Sequence, residues 1–212
     1  MWRPFLLWGF MMVSIPSAGL PLRIIVGLGN PGPEHLVTRH NAGYWFVDLL
    51  ARRHGTEFRD YRKFSGETAH IRVGEQAIIL LKPTTYMNRS GLSIRQLSEF
   101  FKISPADILV AHDELDLPVG TVRLKYGGGH GGHNGLRDTI AHIGDGFWRL
   151  RLGIGHPGNK AEVIDYVLTR APPPEEELIL EAVNTAADCI PLLLEQGAER
   201  AMAKLHGRAG KS

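Results

Sequence analysis

The sequence predicts one mixed α/β domain. Short apolar runs of strand length, at 22–26, 77–81 and 108–111, alternate with segments whose apolar residues recur at helical spacing, as at 42–50, 94–101 and 179–194. No repeat, low-complexity segment or linker divides the chain. Composition agrees, since 212 residues at 43% hydrophobic and 22% charged allow one sizeable core.

The first twenty residues stand apart. Arg3, the apolar stretch 5–15 and then Pro-Ser-Ala-Gly have the outline of a secretory leader, too short to span a bilayer. Against export stand the missing Ala-x-Ala pattern and the lack of structural cysteines, so 1–21 is also readable as an extension ahead of a domain that begins near Leu22. From there, 22–26 reads as a buried strand feeding a tight Gly-Leu-Gly loop, and Ala42, Trp45, Phe46, Leu49 and Leu50 form a helix that Gly55 stops. Ala69, Ile71 and Val73 alternate with polar residues, Gly74-Glu75 turns the chain, and 77–81 returns as the second strand of a hairpin. Ile94, Leu97 and Phe101 mark a helix, and Ser104-Pro105 opens a short turn. The run 108–111 reads as a central strand that delivers His112, Asp113 and Glu114 to the carboxyl edge of the sheet, where open α/β sheets bind ligands. Strands at 121–126 and 148–154 flank a helix around Leu136, Ile140 and Ile143, a short helix spans 161–168, and acidic 175–177 opens the last helix. A flexible Gly-Arg-Ala-Gly-Lys-Ser tail closes the chain at 207–212.

Composition excludes several functions. The single cysteine, Cys189, lies in an apolar helical run, which leaves neither a disulfide framework nor a thiolate metal site and fits a reducing compartment. A net charge of +2 gives no global attraction to nucleic acid, so any such affinity must come from placement of the basic residues. The motif Gly27-Leu-Gly29-Asn-Pro-Gly32 matches a dinucleotide fingerprint literally, but Pro31 and Pro33 deny pyrophosphate the free N–H groups of a helix start, and Asp48 falls inside a helix. No G-x-S-x-G occurs, so water is the default nucleophile and no cofactor is expected. A metal site drawn from His112, His130, His133, His156 and Asp113 is set aside, because glycine-flanked ligands are poorly held and no H-E-x-x-H spacing supports them.

What remains is a polar constellation. His40 sits at the junction of loop and helix, and Asp113 at a strand end is a natural partner for its imidazole, fixing the tautomer and freeing the other nitrogen to take a proton from water. Asn30, Asn88 and Asn134 occupy turn-like settings, and their amides suit a peptide backbone or a developing oxyanion. The loop 127–135, dense in glycine and histidine, reads as a substrate loop. Arg123 and Lys125 alternate with apolar residues on one strand and Arg149 and Arg151 on another, giving a cationic patch if the two strands are close.

Five motifs then occur in order: Gly-Leu-Gly-Asn-Pro-Gly at 27, Thr-Arg-His-Asn at 38, Pro-Thr-Thr-Tyr-Met-Asn at 83, His-Asp-Glu-Leu-Asp at 112 and Gly-Gly-His-Gly-Gly-His-Asn-Gly-Leu-Arg-Asp at 128. From about Leu22 to His206 the chain resembles bacterial-type peptidyl-tRNA hydrolase. The resemblance implies a cytoplasmic, monomeric, metal-free enzyme with no membrane partner, built as a single α/β domain, 22–206, with a twisted mixed sheet packed between helices. It implies cleavage of the ester between a peptide and the terminal ribose of tRNA. Position by position it gives His40 as general base, Asp113 as the acid that stabilises its active form, and Asn30 as the residue that tells N-blocked from free aminoacyl groups. Asn88 and Asn134 become substrate-binding amides, Tyr86, Met87 and His133 line the cleft, and Arg123, Lys125 and Arg151 meet tRNA phosphates. One departure is His35, which stands where the family pattern has Tyr or Phe and leaves that substrate contact open. Competing readings are an RNA-binding module without catalysis, hinted at by His35 alone, and an oxidoreductase resting on the Gly27 motif.

Overall fold

The computed structural model describes residues 19–207, so most of the extension 1–21 and most of the tail lie outside the described residues. Seven strands form one sheet in the order β2-β3-β4-β1-β5-β7-β6. The centre is parallel: β1 (Ile24–Gly27) lies between β4 (Gln76–Pro83) and β5 (Ile108–Glu114), and β5 pairs in parallel with β7 (Trp148–Gly153). Both flanks are antiparallel, with β2 (Arg59–Tyr61) and β3 (Gly66–Val73) on one side and β6 (Val122–Tyr126) on the other.

Helices cover both faces. On one, α1 (Ala42–Arg53), α5 (Pro173–Gln196) and α6 (Ala198–His206) enclose a core that includes Ile25, Phe46, Leu109, Ala111 and Leu150. On the other, α2 (Ser90–Phe101) and α3 (Asn134–Ile143) close over Ile24, Val26, Ile108, Val110 and Phe147. Alternate residues of β1 and β5 thus serve opposite cores, which is why a buried parallel strand reads as a continuous apolar run. A fourth helix, α4 (Val163–Val167), is only five residues long.

Three elements depart from the sequence expectation. β2 has three exposed residues and no alternation, so it left no periodic signal. β5 continues through His112 and Asp113 to Glu114 instead of ending at Ala111, because the polar residues keep their pairing with β7. The expected last helix is α5, but a further helix, α6, follows it, set off by Gly197 at φ 87°, a region that L side chains rarely adopt.

The start of α1 lies unusually close to the sheet. A Cβ on Gly43 would fall under 3.0 Å from the Ala111 and Leu28 carbonyl oxygens, and one on Gly27 would collide with the Gly43 carbonyl. Gly27, one glycine of the apparent dinucleotide fingerprint, and Gly43 of α1 therefore let the helix lie directly against β1 and β5. Gly43→Ala is expected to destabilise the fold by about 1–3 kcal/mol through overpacking, read as a lowered chemical-denaturation midpoint; an unchanged midpoint would show that the contact can relax freely.

Candidate active site

Parity along β5 explains the heart of the site. Leu109 and Ala111 face α1, so period two sends Asp113 to the same side, at the strand's carboxyl end. His40 lies in a single 3-10 turn, Arg39–Asn41, immediately ahead of α1, and the close Gly43 contact brings that turn down onto the strand end. The result is a buried pair: His40 Nδ1 lies 2.9 Å from both carboxylate oxygens of Asp113, which is 2% exposed. Among the described residues, Nε2 of His40 has no hydrogen-bond partner, and His40 lines a cleft of about 310 Å³.

A second imidazole shares the carboxylate. His133 Nδ1 accepts the Leu136 N–H at 3.2 Å as the cap of α3, so its proton is on Nε2, which donates to Asp113 Oδ1 at 2.9 Å. His112, on the opposite parity, is buried and donates from Nδ1 to the Asp113 carbonyl oxygen at 2.7 Å.

Electrostatics follow. Burial alone would raise the Asp113 pKa, but the charges and N–H groups of His40 and His133 hold it far below the usual carboxylate range. Burial alone would lower that of His40, yet the Asp113 charge and hydrogen bond raise it above 6.5. For His112 the compensation from Asp113 is too small: burial first, and then the neighbouring His133, push it down to about 3, which keeps it neutral.

Ligating atoms of His40, Asp113 and His133 lie within 4.8 Å of one another, a spacing that could hold a metal ion, and this trio differs from the set the sequence suggested. The hydrogen bonds favour another reading. The Leu136 N–H fixes the proton of His133 on the nitrogen that a metal would need, and the carboxylate already receives both imidazoles.

The asparagines are more specific than their composition implied. Asn30 Oδ1 accepts the Met87 N–H at 2.8 Å, and Asn134 Oδ1 accepts from Arg137 Nη1 at 2.7 Å. Each bond orients its amide, and both residues line the cleft with an NH2 group as well as a carbonyl to offer. Asn41 clamps the Asn30 backbone through bonds of 2.8 and 3.0 Å, setting the turn opposite His40.

Of the residues expected in the site, Asn30, His40, Tyr86, Met87, Asn88, Asp113, His133 and Asn134 line one cleft. His35 does not line it; its ring stands edge-on to Tyr86 at 6.5 Å. Four cations share one face of the β6–β7 pair, where Arg123 is opposite Arg151 and Lys125 opposite Arg149. Two of them are committed. Arg151 is paired with Glu114 at 2.9 Å, and Arg149, buried, donates to the carbonyls of Gly128 and Gly129 and so anchors the glycine loop. Lys125 is exposed.

Sequence reasoning missed an apolar wall made by Leu115 and by Val163, Ile164, Val167 and Leu168 of the α4 region. The short helix was legible; nothing in its pattern indicated that it faces a cleft. Arg149 was legible as a cation but not as an anchor.

Comparisons with known proteins point to one family. A family model described as peptidyl-tRNA hydrolase matches residues 24–212. The chain is 50% identical over 188 residues to a peptidyl-tRNA hydrolase of Vibrio cholerae, covering 88% of this chain and 96% of that one. It is 49% identical over 191 residues to one of Alkalilimnicola ehrlichii, covering 89% and 97%. The crystal structure of peptidyl-tRNA hydrolase from Acinetobacter baumannii superposes with a TM-score of 0.85 at 48% identity, covering 89% and 96%. Fold and relatives together place the chain among the carboxylic ester hydrolases. Within that class it belongs to the peptidyl-tRNA hydrolase family.

Proposed function

We propose that this protein hydrolyses the ester between a peptide, or another N-blocked aminoacyl group, and the terminal ribose of tRNA, with His40 as general base. The observation that carries this reading is the buried Asp113–His40 pair on the cleft wall, in which Asp113 takes Nδ1 and leaves the other imidazole nitrogen without a protein partner among the described residues. His40 Nε2 takes a proton from water, the resulting hydroxide attacks the ester carbonyl carbon, and the proton is returned to the departing ribose oxygen. The amide donors of Asn30 and Asn134 suit the carbonyl oxygens of the substrate. Free peptide and reusable tRNA leave.

The Asn30 donor also supports selection of N-blocked groups. A peptide carbonyl oxygen accepts from it, whereas a free ammonium would place donor against donor. Asn30→Asp keeps the bond to Met87 and replaces the donor by an acceptor. The ratio of cleavage rates, N-acetyl-aminoacyl-tRNA over free aminoacyl-tRNA, is expected to fall by roughly tenfold.

The basic face of β6–β7 supports contact with tRNA phosphates, with Lys125 and Arg123 the more available and Arg151 held by Glu114. Lys125→Ala should raise KM for tRNA substrates and reduce the slope of log KM against log salt by about 1; an unchanged slope would remove Lys125 from the interface. Residues 22–206 form the catalytic unit in this reading, which acts as a cytoplasmic monomer. Among the described residues no helix is long and apolar enough to cross a membrane.

The deciding experiment incubates purified protein with N-acetyl-aminoacyl-tRNA, with and without chelator. Release of the acetylated amino acid in both is expected. Binding without release would favour an RNA-binding module, and release abolished by chelator would revive the metal reading.

A further inference from the structure

Arg39 precedes His40, and it is 5% exposed. Its Nη1 donates to the carbonyl oxygens of Tyr166, Thr169 and Arg170 at 3.1, 3.2 and 3.4 Å, while Nη2 meets Glu175 Oε2 at 3.1 Å. The guanidinium carbon lies 4.0 Å from the centroid of the Tyr166 ring, and the Arg39 backbone N–H donates to Thr169 O at 3.3 Å. These carbonyls belong to the end of α4 and the residues just beyond it, where a helix has unsatisfied acceptors and favours a cation.

A helix of five residues has no stability of its own, so where α4 sits depends on what binds it. Its cleft side is apolar: Ile164 is 69% exposed and Leu168 39% exposed, both on the cleft. Packing gives no reason for them to be there. An apolar surface held at the edge of a polar centre is suited to an apolar substrate group.

We propose that Arg39 is a positioning residue that locks α4 against the segment carrying His40, so that α4 serves as a fixed apolar wall for the side chains of the peptide. This rests on the hydrolase reading above. Arg39 acts on substrate capture through α4 and leaves the proton transfer at His40 to Asp113. One buried cation therefore joins the two halves of the cleft, the base on the loop before α1 and the apolar wall on α4.

The test compares Arg39→Gln with wild type on two substrates, N-acetyl-leucyl-tRNA and N-acetyl-glycyl-tRNA, with KM and kcat measured separately. Hydrogen exchange of the α4 amides is followed in parallel. With the latch lost, α4 should exchange faster and KM for the leucyl substrate should rise roughly tenfold, while KM for the glycyl substrate, kcat and the pH midpoint stay within about twofold. Arg39→Lys, which keeps the charge opposite Glu175 but not the fork, should recover part of the difference. Should Arg39→Gln not fold, Arg39→Lys and Glu175→Gln carry the same comparison. Equal losses on both substrates, a fall in kcat with a shifted pH midpoint, or faster α4 exchange with unchanged KM would each overturn the proposal. If wild type cleaves neither substrate, the hydrolase reading fails, and the latch is then judged by the binding affinity of wild type and variant for the same two tRNAs.

Discussion

Replacing His40 by Ala is expected to lower kcat for N-acetyl-aminoacyl-tRNA by about 10²- to 10⁴-fold, with KM nearly unchanged. In the proposed mechanism its Nε2, left unpartnered by the Nδ1–Asp113 bond, is the basic atom that the Asp113 charge sets up for proton transfer. His133 cannot replace it, because the Leu136 N–H and the Asp113 carboxylate occupy both of its ring nitrogens. His112 is buried, and its remaining nitrogen is too weakly basic, with a pKa near 3. The variant keeps a buried carboxylate that still receives the His133 N–H, so a loss of about 1–3 kcal/mol in stability is expected alongside the kinetic one. Circular dichroism and a denaturation curve separate the two effects. A folded variant with wild-type turnover would show that His40 is not the base.

The pairing of His40 with Asp113 was legible in the sequence because both residues interrupt patterns. One breaks the approach to an amphipathic helix and the other follows an apolar strand. That the two meet depends on parity along β5 and on the close approach of Gly43 to Gly27 and Ala111, and Gly27 pointed elsewhere when read as part of a motif. The central strands and the helices α1, α2 and α3 were readable from periodicity, since each buries one face. β2 was not, being short and exposed, and neither was α6, which follows α5 directly after the positive-φ Gly197. Site roles that rest on hydrogen-bond direction were also hidden. The sequence marks Asn30, Asn88 and Asn134 as candidates; only the folded arrangement shows that the Asn30 and Asn134 carbonyls accept from Met87 and Arg137. Arg149 and Arg151 look alike on alternate strand positions, yet one anchors a loop and the other pairs with Glu114.

Asp113→Asn should give the second large effect, and pH separates it from the first. In the wild type the Asp113 charge overrides burial and raises the His40 pKa above 6.5, so kcat/KM should climb with pH and reach half its plateau above 6.5. Asparagine removes the charge but leaves the burial, which lowers the pKa; the midpoint should move below 6.5 while the plateau drops by about 10²- to 10⁴-fold, the imidazole having lost the partner that fixes its tautomer. The same pair links stability to pH with opposite signs. His40, with a raised folded pKa, contributes stability that is fully present below 6.5 and is lost as pH rises through the folded value. Asp113, with a depressed folded pKa, contributes stability present above 3.8 and lost as pH falls through its folded value. The pair therefore stabilises the fold most between 3.8 and 6.5, where His40 is protonated and cannot act as a base. Activity requires entering the range in which part of that stabilisation has gone. Denaturation midpoints measured across this range should decline on the alkaline side in the wild type and stay flatter in Asp113→Asn. A kinetic midpoint that does not move in the variant would mean that the carboxylate does not set the basicity of His40.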